Sequence, residues 1–156
     1  MIKQKDVAIL TALRQDGRQK LTEMSKQVRL PVSTIYDRIK NHQKQYIAKH
    51  SSILNFEALG FQTRAHVLFK LHKEEKETFL ETLRKTPFVN SIYRINNGFD
   101  IMTECVFRNI NELETFLEKL DIKHRIKARE VYYIIEDIVR EQFLSDPNTA
   151  ALIFAK

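Results

Sequence analysis

Five residues punctuate this chain of 156 amino acids, namely Gly17, Pro31, Gly60, Pro87 and Gly98, and between them the apolar positions change from helical spacing to alternation. The first stretch, Lys5 to Gln15, sets Val7, Ile9, Leu10 and Leu13 at helical spacing, with Asp6 in the first turn, where a carboxylate favours the helix dipole. Gln15-Asp16-Gly17-Arg18 stops it. A second pattern, Leu21, Met24 and Val28 with Thr22 as cap, ends at Arg29-Leu30-Pro31. The third runs from Val32 to about Lys44, begins behind Pro31, which a helix start tolerates well, and puts Ile35 and Ile39 on one face. Three short helices, the last two separated by only a few residues, describe a three-helix, winged-helix-like helix-turn-helix. The final helix of such a unit enters the major groove.

Beyond Ile47 the chain changes character. Ala48 to Asn55 reads as an extended connector closed by Phe56-Glu57-Ala58-Leu59-Gly60-Phe61. Alternation from Thr63 to Leu71 then puts Ala65, Val67, Phe69 and Leu71 on one side of a strand and Arg64, His66, Leu68 and Lys70 on the other. A helix from about Glu74 to Lys85 buries Phe79, Leu80 and Leu83 and stops before Pro87. Val89 to Ile95 and Phe99 to Phe107 form two strands around Asn96-Asn97-Gly98, the strongest short hairpin signal, since Asn and Gly both accept positive φ. Asn111 is placed to cap a second helix through Leu120, with Leu113, Phe116, Leu117 and Leu120 inward. Arg129 to Ile138, with Val131-Tyr132-Tyr133-Ile134-Ile135, is a last strand by its β-branched and aromatic content. The order β-α-β-β-α-β is the ferredoxin-like split arrangement, an antiparallel sheet with two helices on one face. The fold class is therefore α+β, divided into a helix-turn-helix domain over 1–50, a linker over 51–62 and a sheet domain over 63–156. On the sheet's second face Leu68, Met102, Val106 and one tyrosine make an apolar patch that calls for a second copy, hence a homodimer or higher homo-oligomer.

The charge has an address. Residues 1–50 hold 11 Lys and Arg against 4 Asp and Glu, an excess of seven, whereas the rest is one short of neutral, against +6 for the whole chain. A cationic three-helix head points to double-stranded DNA as its partner. On the third helix the side away from Ile35 and Ile39 displays Ser33, Thr34, Tyr36, Asp37, Lys40 and Asn41, with Arg38 and Lys44 nearby. Such groups hydrogen-bond to base edges and phosphates. Lys3, Lys5, Arg18, Lys20, Lys26 and Arg29 are candidate phosphate contacts. The plain alternative is a solvated helix face, which also carries polar residues.

The run Ile9-Leu10, Leu13, Asp16-Gly17-Arg18, Leu21, Met24, Val28 and Leu30-Pro31-Val32-Ser33-Thr34-Ile35-Tyr36-Asp37-Arg38-Ile39 resembles the N-terminal domain of the Lrp/AsnC family of transcription regulators. Ser33, Thr34, Ile35, Arg38 and Ile39 occupy the places of that family's pattern. Many members continue with a Gly-Val-Ile run, where this chain has Gln45-Tyr46-Ile47. The order of the following elements resembles the family's C-terminal ligand-binding domain, whose hairpin reads Thr-Gly-x-(Tyr/Phe)-Asp; here it is Asn97-Gly98-Phe99-Asp100. The resemblance covers roughly residues 5 to 140. It implies a sequence-specific DNA-binding regulator modulated by a small amino-acid effector bound between subunits, with Asn97, Gly98 and Asp100 as effector-site candidates. Turn amides can receive a carboxylate and Asp100 can accept from an ammonium group. Equally, Asn97 and Gly98 make a turn that Asp100 stabilises.

Two other readings use the same parts. An architectural protein that binds DNA with little sequence preference needs the same head and the same sheet. The superfamily also contains relatives resembling sirohaem decarboxylases, which tend to carry a tryptophan-containing motif after the hairpin; this chain has no Trp and carries Phe99-Asp100-Ile101-Met102 there. The reading is that the protein is no enzyme and needs no cofactor. Three glycines are too few and too scattered for a phosphate-cradling loop. The five histidines, His42, His50, His66, His72 and His124, lie at no metal-ligand spacing and read as ordinary polar side chains, so no metal is assigned. Cys105 reads as a small core residue. No apolar run approaches the ~18 residues of a membrane span, and no signal-peptide core leads the chain, so a cytoplasmic location is expected. The stretch from Arg140 to Lys156 carries no motif.

Overall fold

The computed structural model describes residues 2–154. Helices α1 (Gln4–Gln15), α2 (Leu21–Val28) and α3 (Val32–Gln45) come first. Strand β1 (Thr63–Leu71), a short 3₁₀ turn (Lys73–Glu75), α4 (Lys76–Arg84), β2 (Val89–Arg94), β3 (Ile101–Phe107), α5 (Ile110–Lys123) and β4 (Ile126–Tyr133) follow, and α6 (Pro147–Phe154) closes the chain. Two compact units result, one from the chain up to Ile53 together with the chain from Ile138 on, the other Leu54–Asp137.

In the first unit Ile9, Ala12, Met24, Val28 and Ile35 form a buried core, flanked by Ala8, Leu13, Leu21, Leu30 and Ile39. Each helix buries one stripe because its apolar residues recur every three to four positions. The turn between α2 and α3 is built by Arg29, which takes the left-handed conformation at φ 56°. Ser25 reinforces it, its carbonyl accepting from Leu30 N at 3.3 Å and its hydroxyl donating to Leu30 O at 2.6 Å. Pro31 precedes α3 and its carbonyl accepts from Ile35 N at 3.0 Å. Thr22 does not cap α2: it lies inside the helix behind Lys20, and no side chain caps that end.

The second unit is a four-stranded antiparallel sheet in the order β2-β3-β1-β4. Ala65, Val67, Phe69 and Leu71 of β1 and Ile101, Cys105 and Phe107 of β3 point to one side, where Phe79, Leu80 and Leu83 of α4 and Leu113, Leu117 and Leu120 of α5 cover them. Phe69 and Phe79 meet edge to face at 4.9 Å. Cys105 is buried there, and burial pushes its thiol up to about 11.

Several boundaries differ from the sequence expectation: β3 starts at Ile101 rather than Phe99 and β4 at Ile126 rather than Arg129, and the α5 cap and the end of β4 also move. The cap of α5 is Asn109, not Asn111: the Asn109 side chain accepts from Glu112 N at 2.9 Å while Glu112 Oε2 accepts from Arg108 N at 3.2 Å. An Asn followed three residues on by Glu satisfies two otherwise orphaned amides; Asn111 has the same spacing to Glu114, but it lies inside the helix, which begins at Ile110. Strand β4 stops at Tyr133 rather than Ile138. Tyr133 pairs with Ala65 and Ile134 N still donates to Arg64 O at 2.8 Å, after which the chain leaves β1 although Thr63 continues that strand. Ile135 and Ile138 are accordingly 96% and 84% exposed.

On the sheet face away from the helices the register aligns Tyr93, Met102, Leu68 and Glu130 in one row and Glu104, His66 and Tyr132 in the next. Leu68 and Met102 are half-buried, Val106 is buried, and the exposed aromatics are two tyrosines, Tyr93 and Tyr132, rather than one.

Candidate nucleic-acid interface

Helical geometry sorts the side chains of α3 into three stripes. Ser33, Tyr36, Asp37, Lys40, Asn41 and Lys44 follow one another by three or four positions and are all exposed, so they form one polar face with Tyr36 57% exposed upon it. Ile35 and Ile39 turn into the core. Between these faces runs a third stripe of Thr34, Arg38 and His42, spaced by four, of which Arg38 and His42 meet α1. Asp6 Oδ1 accepts from Arg38 Nη1 at 2.8 Å and lies 3.1 Å from His42 Nε2. His42 is buried, its ring stands edge-on to Tyr46 at 5.5 Å, and its Nδ1 has no hydrogen-bond partner.

The remaining head cations divide in the same way. Arg18, Lys20, Lys26, Arg29 and Lys3 are exposed, with Arg29 and Lys20 at the two ends of α2. Lys5 is committed within the head: its ammonium donates to Val28 O at 2.6 Å, where a cation offsets the carbonyl end of α2. Arg38 likewise has a fixed carboxylate partner, so a base contact by Arg38 requires it to share or leave Asp6. Asp6 was legible only as a first-turn acid. Its partners lie more than thirty positions away, and no local pattern marks them.

At the hairpin, Asn97 and Gly98 take φ values of 64° and 92°, the pair of left-handed residues that the Asn-Gly signal calls for. All three of Asn96, Asn97 and Gly98 are exposed. Asp100 faces inward to its own framework. Its carboxylate accepts from Leu71 N at 2.8 Å and from Lys76 Nζ at 2.6 Å, and its amide donates to Phe69 O at 2.9 Å. The Leu71 amide, seconded by the Lys76 ammonium, holds this carboxyl below the usual aspartate range. Asp100 therefore anchors the turn to β1 and α4, and Lys76 is a member of this cluster that spacing did not reveal. A cleft of about 630 Å³ lies at the other end of the β2–β3 pair, over Phe88, Phe107 and Phe116. His124, read as an ordinary polar residue, is buried at 3.0 Å from Thr82 Oγ1 and 3.3 Å from Glu75 Oε2. Among the described residues no cluster of three or more His, Cys, Asp or Glu side chains is arranged to hold a metal, and no helix is long and apolar enough to cross a membrane.

Residues 2–41 match the winged helix-turn-helix DNA-binding family, and residues 64–143 match the Lrp/AsnC ligand-binding domain. The HTH-type transcriptional regulator FL11 of Pyrococcus furiosus is 32% identical over 114 residues, 72% of this chain and 76% of its own. Among solved structures, a transcriptional regulator of Neisseria meningitidis in complex with L-methionine superposes with a TM-score of 0.83 at 21% identity, over 90% of this chain and 94% of that one. E. coli AsnC superposes at 0.79 and 20% identity, over 90% and 96%. At such identities the superpositions speak for the fold. With both family matches in register, and a relative above 30% identity over most of its length, the chain belongs to the Lrp/AsnC family of transcriptional regulators.

Proposed function

We propose that the protein binds double-stranded DNA sequence-specifically as a homodimer, reading base edges with the exposed face of α3. The observation that carries this is the continuous stripe Ser33, Tyr36, Asp37, Lys40, Asn41 and Lys44 on a unit with an excess of seven positive charges. Asn41 and the hydroxyls of Ser33 and Tyr36 suit base edges, whereas Lys40 and Lys44, with Arg18, Lys20, Lys26 and Arg29, suit phosphates. The dimer forms through the sheet face carrying Tyr93, Met102, Leu68 and Tyr132, so the two heads address a pseudo-palindrome. A regulator of this kind acts by binding rather than by catalysis, in the cytoplasm where the chromosome lies.

A small amino acid is the proposed effector, supported by the ligand-binding domain match and by the L-methionine complex of the Neisseria protein. The exposed amides around Asn97 and Gly98 would receive its carboxylate. Asp100, already shared between Leu71 and Lys76, holds that turn in place. Selecting duplexes from a random pool, followed by anisotropy titrations at fixed salt with and without amino acids, tests the reading. The expected result is a sequence motif bound far more tightly than random DNA, with affinity shifted by one class of amino acid. Equal affinity for selected and random duplexes would establish the architectural alternative instead.

A further inference from the structure

The Lrp/AsnC match ends at residue 143, and the sequence beyond it carries no motif, yet the structure gives residues 138–154 a specific seat. After β4 the chain returns to the first unit and lays α6 along α1. Arg14, in the last turn of α1, uses three guanidinium nitrogens on it: Nη2 donates to Glu141 O at 2.7 Å, Nη1 to Glu141 Oε2 at 2.9 Å and Nε to Phe143 O at 3.0 Å. To present those acceptors, Glu141 and Leu144 both take left-handed φ values, 56° and 59°, which non-glycine residues adopt only where surroundings hold them. Asp146 then caps α6, accepting from the Thr149 hydroxyl, from Asn148 N at 3.1 Å and from Thr149 N at 3.3 Å, and the hydroxyl, followed by the amides, holds its carboxyl below the usual range.

Ala150 is 2% exposed on the short helix so formed. On α1, Val7 and Thr11 are buried although neither belongs to the core shared with α2 and α3, and together with Arg14 they fall on one face at a spacing of four and three. Helix α1 is thus covered on two sides. Ile9 and Ala12 pack into the head core, while Arg14 holds Glu141 and Phe143 and α1 packs against α6. One residue before that second face, Asp6 holds Arg38 and His42 of α3.

We infer that the C-terminal tail is a working part of the DNA-binding head: Arg14, Glu141 and Ala150 are positioning residues that fix α1 and, through Asp6, the recognition helix. This rests on the DNA-binding reading above, and the test separates the two. In full-length protein, Arg14→Ala and Ala150→Arg, together with a chain ended after Asp137, are compared with the original by amide hydrogen exchange without DNA. Affinities for a selected and for a random duplex are then measured. The expected outcome is exchange about tenfold faster in α1 and α3 with β1–β4 unchanged. Affinity for the selected duplex should fall about tenfold, with a much smaller change on random DNA. Arg14→Lys, which keeps one donor, should fall between. Unchanged exchange in α1 for all three variants overturns the inference, as does faster exchange with equal losses on both duplexes, which marks mere unfolding of the head. If the original protein binds no duplex while the variants still loosen α1 and α3, the DNA reading fails and the packing role of the tail stands. Should the shortened chain not fold, the two point variants decide.

Discussion

At residue scale the decisive group is Asp6. An ordinary helix-starting acid by its position, it is the shared acceptor of Arg38 and lies beside buried His42. Removing one partner of a mostly desolvated charged hydrogen bond costs more than an exposed pair is worth, so Asp6→Ala and Arg38→Ala should each destabilise the head by about 1–3 kcal/mol in urea titrations. Because the two groups touch, their effects should not add; a double-mutant cycle should show coupling of about 0.5–3 kcal/mol, and strict additivity would mean the pair is absent in solution. Asp100 makes a pH prediction. Its carboxyl is held low in the folded state, so the stability it contributes is present above the unfolded value of about 4 and is lost as pH falls through the lower folded value. The stability gap between the protein and Asp100→Asn should therefore be constant from about pH 5 upward and close below about pH 4. A gap that stays open in acid would refute the assignment. Both acids were visible in the sequence. Their partners were not, because Arg38 and Lys76 are brought to them by packing between elements far apart in the chain.

At the scale of elements, local rules and tertiary context divide the outcome. The span Thr63–Leu71 emerges as expected because alternation over nine residues has one solution when one face is buried. The hairpin turn was equally legible, since Asn97 and Gly98 are suited to its backbone. The cap of α5 tests a finer rule: Asn109→Ala should cost about 1 kcal/mol and Asn111→Ala less than about 0.5 kcal/mol, read as shifts of the urea midpoint. Equal effects would contradict the Asn109–Glu112 box. The end of β4 was not legible, because Ile134 and Ile135 have strand propensity and the point where the chain leaves β1 is set by tertiary packing that their own sequence does not encode. The face of α3 was legible as a set of residues. Its division into an exposed stripe and a stripe held by α1 was not, since Arg38 and Lys40 look alike until Asp6 of α1 is placed.

For the whole molecule, the separation of charge sets how the protein should meet DNA. Affinity should fall steeply with salt as phosphate contacts release counterions, and Lys40→Ala or Lys44→Ala should each lower the slope of log K against log salt by about 1 without changing the preferred sequence. A slope unchanged in both would remove those lysines from the interface. The tail leaves this balance alone, because Arg140 and Lys156 offset Glu141 and Asp146. It alters the domain plan instead. A division at residue 63 assigns everything after it to the sheet, whereas the chain from Ile138 on packs with the head. By itself the sequence determined the two architectures, the basic head, the hairpin and the residue types available to touch DNA, because periodicity, turn chemistry and charge are properties of neighbours along the chain. Only the tertiary structure decided which of those residues are free and which are committed, and where the tail belongs. Ion pairs such as Asp6–Arg38 and the grip of Arg14 on Glu141 and Phe143 join positions separated by 32 and more than 120 residues, and such distances are closed by burial, not by sequence.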